Sequence, residues 1–505
     1  MSKIKYVYLL LFVVACSTVK SLTAQETYQE QYRPRLHFSP KEKWMNDPNG
    51  MVYYEGVYHL FYQYYPDSTI WGPMHWGHAT STDLLHWQHQ PIALYPDSLG
   101  YIFSGSAVAD LNNTSGFGKD GKTSLVAIFT HHNPKGERAG RNDFENQSIA
   151  YSLDSGRTWT KYAHNPVLSN PGIRDFRDPK VSWYEPGKKW VMTLATSDHI
   201  TFYSSPDLKS WTKESEFGKE KGAHGGVWEC PDLFPLNYKG KKLWVLIVNI
   251  NPGGPNGGSA TQYFVGDFDG NKFRSFTTTT KWLDYGPDEY AGITWSNTGD
   301  RKIFLGWMSN WQYAGIVPTV KWRGAATLPR NLHIQKVENE YFVASQPVPE
   351  LQVLNSQAIL LKNFDAGNDE LPPETREITG PVRLTMSADT INDFSITLRN
   401  KQDEKVVIGY DKTAGQYYID RSQSGKVAFE KGFGARHTAP RLAKKEAMDI
   451  TLIIDDASVE LFADGGLTVM TSIFFPNAPY SNLSVQAAGK FRIKTLEIGK
   501  LKSIY

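Results

Sequence analysis

SLDSGRTW at 152–159 sets a Ser, then an Asp, then a Trp five residues past the Asp, directly after a strand-like run. STDLLHW at 81–87 and SSPDLKSW at 204–211 repeat the order with a four-residue gap. Ser and Asp favour turns because their side chains bond backbone a few residues on, and a buried Trp can staple such a hairpin to its sheet. Around these copies run short aromatic and β-branched segments: VYHLFYQYY (57–65), SLVAIFTHH (124–132), KWVMTLAT (189–196), LWVLIVNI (243–250) and KIFLGWMSN (302–310). No long helical period interrupts them, so they read as strands. Units of about four strands recurring every 40–50 residues or so mark a β-propeller; roughly 300 residues of them make five or six blades, a sandwich being the alternative.

The texture changes at SQPVPELQVLNSQ (345–357), which follows neither period and reads as a linker. Beyond it VRLTMSAD (382–389), FSITLRN (394–400), ITLIIDDASVELFAD (450–464) and FRIKTLEIG (491–499) alternate cleanly, as strands of a β-sandwich do. The expected chain is all-β: a leader over 1–25, a propeller over 30–340, a linker over 341–358 and a sandwich over 359–505.

A net charge of only +2 with no long basic run excludes nucleic acid and anionic membranes as charge-driven partners. Lys3 and Lys5 precede an apolar run from Tyr6 to Ala15, which suits an export signal and is too short to span a bilayer. Val13-Val14-Ala15-Cys16 resembles a bacterial lipobox, with Cys16 the lipidation site and the lipid the one link to a membrane; cleavage near Ala24 is the alternative. The expected location is periplasmic or at the cell surface, and the expected state a monomer. Cys230 is the one other cysteine, so no internal disulfide or cysteine-based metal site is expected. His75, His78, His86 and His89 read as packed or hydrogen-bonded, and neither metal nor cofactor is expected.

WMNDPNG at 44–50 contains Asp-Pro-Asn-Gly, the residues a type I turn prefers. Two more acids stand one or two residues before prolines where strands begin: Asp178 in RDP (177–179) and Glu229 in WECPD (228–232). The three stand 131 and 51 residues apart, near two-and-a-bit blades and one blade. Equivalent positions on different blades converge at one mouth of the central channel. A carboxylate pair there suits glycoside hydrolysis, one ionised and one protonated, while a third can hold sugar hydroxyls. An octahedral metal site is the rival.

These three motifs resemble, in order and spacing, the acidic motifs of glycoside hydrolase family 32, the levanases, inulinases and invertases. WGPMHWGHA (71–79), FSGS (103–106), DEYAGITW (288–295) and WRGAATLPR (322–330) resemble further blocks of that family over residues 35–335, and DASVELF (456–462) its C-terminal part. The resemblance implies a five-bladed propeller followed by a β-sandwich. It implies Asp47 as nucleophile, Glu229 as general acid/base and Asp178 as transition-state stabiliser. It also implies Asn46, Gln63, Trp71, Ser104 and Arg177 as the fructosyl pocket, and Cys230 as a buried thiol shaping the acid's environment. The implied reaction is retaining cleavage of β-fructofuranosidic bonds in levan, inulin or sucrose, releasing fructose.

Three other readings compete. The first is an endo-acting levanase that releases oligosaccharides. The second is a sialidase, since SLDSGRTW also fits an Asp-box, although no arginine cluster or tyrosine nucleophile stands out. The third is a non-catalytic fructan-binding propeller, which intact Asp47 and Glu229 argue against.

Overall fold

The computed structural model describes residues 28–277 and 279–505; the leader and Cys16 lie outside them. The first 320 or so described residues form five sheets, each built on four antiparallel strands, and one short strand from the fifth segment joins the first sheet. Their first strands are Lys43–Tyr54, Tyr101–Asp110, Phe176–Tyr184, Val227–Tyr238 and Tyr290–Thr294. Each packs on the next, and the fifth packs back on the first, so the sheets are blades around a ring. Trp322–Arg323 returns from the fifth blade to pair in parallel with Lys43 and Trp44. Gly324 permits that return: its φ is +89°, and a Cβ there would lie 2.0 Å from the Met45 carbonyl oxygen.

A middle strand in a propeller is sandwiched between two neighbouring blades. Every residue of SLVAIFTHH is accordingly buried, which is why such strands read as continuous apolar runs rather than alternating ones. Each gap between blades holds its own cluster, for example Ile128, Met192 and Leu194 between the second and third. Val245, Ile247, Leu332 and Ile334 fill the gap between the fourth and fifth.

The rest of the chain makes a six-stranded and a five-stranded sheet, joined face to face by a core that includes Leu384, Leu452, Ile396, Ile408 and Ile419. Val382–Ala388 alternates strictly between buried and half-buried positions, as a sheet packed on one face must. The stretch expected as a linker is different in kind. Glu340–Pro347 is the last strand of the fifth blade, Pro349–Leu354 is a 3-10 turn, and Asn355–Asp365 already belongs to the sandwich. Its buried apolar residues include Val343, Val348, Leu351 and Leu354, while Val353 is 61% exposed. Their irregular spacing reflects a change of element every few residues.

The propeller meets the sandwich through buried charges. Arg330 Nη1 donates to Asp284 Oδ2 at 2.9 Å and its Nη2 to Glu460 Oε2 at 2.5 Å. His37 bridges Asp455 and Glu460, 2.8 Å from each. Arg421 of the sandwich donates to Asp288 Oδ2 at 2.5 Å.

Candidate active site

The first strands carry the site, one side chain per blade: Asp47, Ser104, Asp178, Glu229 and Tyr290. Each of these strands breaks register at or beside that residue. The breaks fall between Met45 and Pro48, Ile102 and Gly105, Arg177 and Lys180, Glu229 and Asp232, and Tyr290 and Ile293. A bulge leaves a residue unpaired and turns its side chain out of the pleat, here into the channel. Asp178, Cys230 and Ala291 take left-handed φ values of 65°, 42° and 55° at these breaks.

The expectation of turns before strands is corrected here. WMNDPNG lies wholly inside the strand Lys43–Tyr54, and RDP and WECPD likewise lie inside theirs. Proline can sit there because a bulge needs no ladder N–H at that point. The three repeats do form turns: Asp83 accepts from the Leu85 and His86 N–H groups, and Asp207 from Lys209 and Ser210. Their tryptophans are half-buried rather than buried.

All eight residues expected at the site line one cavity of about 360 Å³: Asn46, Asp47, Gln63, Trp71, Ser104, Arg177, Asp178 and Glu229. Asp47 accepts from Ser104 Oγ at 2.6 Å, from Asn46 Nδ2 at 2.9 Å and from the Cys230 thiol at 3.5 Å. Trp44 Nε1 holds Asn46 Oδ1 from behind at 2.7 Å. Asp178 Oδ2 accepts from the Cys230 N–H at 3.0 Å and lies 3.6 Å from its thiol. Glu229 accepts from Arg177 Nε at 3.1 Å and from the Tyr290 hydroxyl. Gln63 is buried and its Nε2 has no protein partner, leaving a donor for a ligand.

The sequence reading missed the supports. Arg177 Nη1 is held by Asp175 at 2.7 Å and by buried Glu145 at 3.3 Å. Glu145 is anchored in turn by His132 Nδ1 and the Phe176 N–H. Trp311, Phe103 and Asn251 also line the cavity, with Glu137, Phe144 and Arg174. Tyr290 was findable: it begins the fifth inner strand, where the logic of equivalent positions points. Glu145 carries no such signal, because it stands on a middle strand.

Acids outnumber the two guanidinium groups that line the cavity, those of Arg174 and Arg177. Burial raises Asp47 above the usual carboxylate range, against the pull of Ser104, Asn46 and Cys230. Burial also raises Glu229, opposed by Arg177 and helped by Asp47. Asp178 is pushed up to about 8 chiefly by burial, opposed by Arg177 and helped by the Glu229 and Asp47 charges. Such a cluster retains at least one proton at neutral pH. Burial keeps Cys230 a neutral thiol, a donor rather than a nucleophile. Among the described residues no group of three or more His, Cys, Asp or Glu side chains is arranged to hold a metal ion. His78 stacks on Phe61 and bonds His59, and His86 pairs with Asp83.

A five-bladed propeller with donor-held carboxyls at one channel mouth, and a sandwich behind it, defines a class of glycoside hydrolase. The chain belongs to glycosyl hydrolases family 32: the family's N-terminal domain matches residues 37–347 and its C-terminal part residues 352–500. It is similar to a levanase of Bacillus subtilis, 46% identical over 95% of this chain and 72% of that one. It is also similar to an extracellular exo-inulinase of Aspergillus niger, 40% identical over 93% of this chain and 94% of the other. The crystal structure of an exo-inulinase from Aspergillus awamori superposes with a TM-score of 0.87 at 37% identity, covering 95% of this chain and all of that one.

Proposed function

We propose that this glycoside hydrolase cuts β-fructofuranosidic bonds of levan or inulin, and of sucrose, by double displacement, releasing fructose. The observation that carries the proposal is the pairing of Asp47, aimed by three donors, with Glu229 in one cavity. Asp47 attacks the anomeric carbon while Glu229 protonates the departing oxygen. Glu229 then takes a proton from the water that frees the sugar. Asp178 holds fructosyl hydroxyls, with Gln63, Asn46 and Arg177 around it. The similar levanase and exo-inulinase support the choice of substrate class.

Release of single fructose units, rather than oligosaccharides, is favoured by what lies beneath the acids. Lys180 Nζ donates to the Thr294 carbonyl and stands 3.5 Å from Asp232 Oδ2. Thr294 donates its N–H and Oγ1 to the same oxygen, each at 2.7 Å. This cross-bracing stops the channel, and a pocket stopped at its floor takes the end of a chain. The test is product analysis on levan, inulin and sucrose. Fructose alone from the outset supports chain-end attack, a ladder of oligomers refutes it, and no hydrolysis refutes the activity. Export, with Cys16 as lipid anchor, is proposed from the apolar leader. Cys16→Ala should free the enzyme from the membrane fraction, and a variant that stays bound would refute the anchor.

A further inference from the structure

The five inner strands run the same way through the ring. Their beginnings carry the acids, so their ends open at the opposite mouth. A second cavity of about 390 Å³ lies there, similar in size to the catalytic one and within the range that ligand sites occupy. Three partly exposed rings line it, Trp183, Tyr184 and Trp244, together with the amides of Asn112 and Asn297 and the ammonium of Lys302.

The rings are braced from behind. Trp183 packs edge-on against Trp190, with centroids 5.0 Å apart, and its Nε1 donates to Glu185 Oε2 at 2.6 Å. Trp244 packs on Phe268 at 5.1 Å. Rings held this way are fixed at the cavity wall, and the Lys242 ammonium lies 5.2 Å from the centre of the Trp244 ring.

The chemistry matches the other mouth in one respect and departs from it in another. The catalytic cavity combines rings (Trp71, Phe103, Trp311) with amides (Asn46, Gln63, Asn251). The far cavity also combines rings with amides. It has no pair of free carboxyls: Asp232 is engaged by Thr294 and Lys180, and Glu185 by Trp183 and Lys188. Aromatic faces suit the C–H faces of sugars, and amides suit their hydroxyls. Such a site binds a saccharide and cannot cut it.

We propose that the far mouth of the propeller is a non-catalytic saccharide site for a segment of the fructan that the near mouth hydrolyses. The ligand class rests on the activity proposed above. The Lys180–Asp232–Thr294 brace separates the two cavities, so a chain does not thread from one to the other. Holding polymer at the far face instead raises the local concentration of chain ends near the catalytic mouth.

Calorimetric titration of the full-length Asp47→Ala variant with an inulin-type pentasaccharide tests this, because the ligand survives the measurement. Two sites per chain are expected, falling to one when Trp183→Ala or Trp244→Ala is added. In the enzyme with Asp47 intact, Trp244→Ala should lower kcat/KM on polymer several-fold. Its turnover of a trisaccharide should be unchanged, which also shows that the variant is folded. A single site in the Asp47→Ala chain overturns the proposal without any tryptophan variant, as do two sites that survive both tryptophan substitutions. An enzyme that cuts fructan normally but has one site refutes the far mouth alone. An enzyme that cuts no fructan refutes the activity and with it the choice of ligand.

Discussion

The Cys230 thiol stands between two carboxylates, 3.5 Å from Asp47 Oδ2 and 3.6 Å from Asp178 Oδ2. Its own N–H donates to Asp178 at 3.0 Å. Cys230→Ala removes the weak sulfur donor and leaves the main-chain bond. Ionised Asp47 loses some support, so the acid limb of the kcat/KM profile should move to higher pH, with activity down about two- to tenfold. An unchanged acid limb would show that the thiol only fills space.

Asp47→Ala should remove nearly all turnover on every fructoside. Glu229→Ala should cost about a thousandfold or more on fructans and much less on a fructosyl donor whose leaving group needs no proton. Equal losses on both substrates would contradict Glu229 as the acid. Proton-decoupled carbon NMR of the first product should show the retained anomer; the inverted one would remove Asp47 as nucleophile.

Tyr290 donates to Glu229 and so favours its ionised form. Tyr290→Phe should therefore raise the Glu229 pKa and move the alkaline limb of the rate profile upward by about one pH unit, while lowering kcat. A limb that stays in place, or moves down, would refute this coupling.

Asp178 is raised by folding to about 8. A carboxyl raised in this way adds stability below its unfolded pKa of about 4, and that stability is lost as pH climbs through the folded value. Asparagine mimics the protonated acid at every pH. Asp178→Asn should thus melt above the parent at alkaline pH, with the gain vanishing in acid, while activity is lost. A melting difference independent of pH would speak against the raised pKa.

His37 shows the opposite chemistry with the same sign of shift. Burial alone would lower its pKa, but the bonds to Asp455 and Glu460 outweigh it and raise it to about 9. The stability it adds is full below about 6.5, the unfolded histidine value, and is lost as pH rises through about 9. His37→Gln should lower the melting temperature by several degrees in mild acid and by less in strong base. Equal losses at both ends would mean that shape, and not charge, holds the two parts together there.

How much of this was legible depended on which forces left a periodic trace. SLVAIFTHH and VRLTMSAD announce themselves because burial on two faces, or on one, prints itself on every residue. WMNDPNG was misread as a turn because proline and glycine serve turns and bulges alike, and only the partner strand decides between them. Its chemistry was legible all the same: a side chain turned out of the pleat needs such residues beside it, so Asp-Pro and Cys-Pro marked the site. Glu145 and Trp311 act through neighbours on the adjoining blade, far away in sequence, and a contact across blades leaves no local pattern.

The parallel clasp of Trp322–Arg323 on Lys43 and Trp44 has a consequence for the nascent chain. A ribosome that has delivered Asp47, Asp178 and Glu229 has delivered all three acids, but it has built only an open arc. The arc cannot close until the clasp emerges, nearly a hundred residues after Glu229. Until then the first and last blades expose apolar flanks, such as Met45 and Ile293, that later bury each other. Premature termination anywhere between Glu229 and Arg323 should therefore yield a chain with a full catalytic alphabet, no enzyme, and a strong tendency to aggregate.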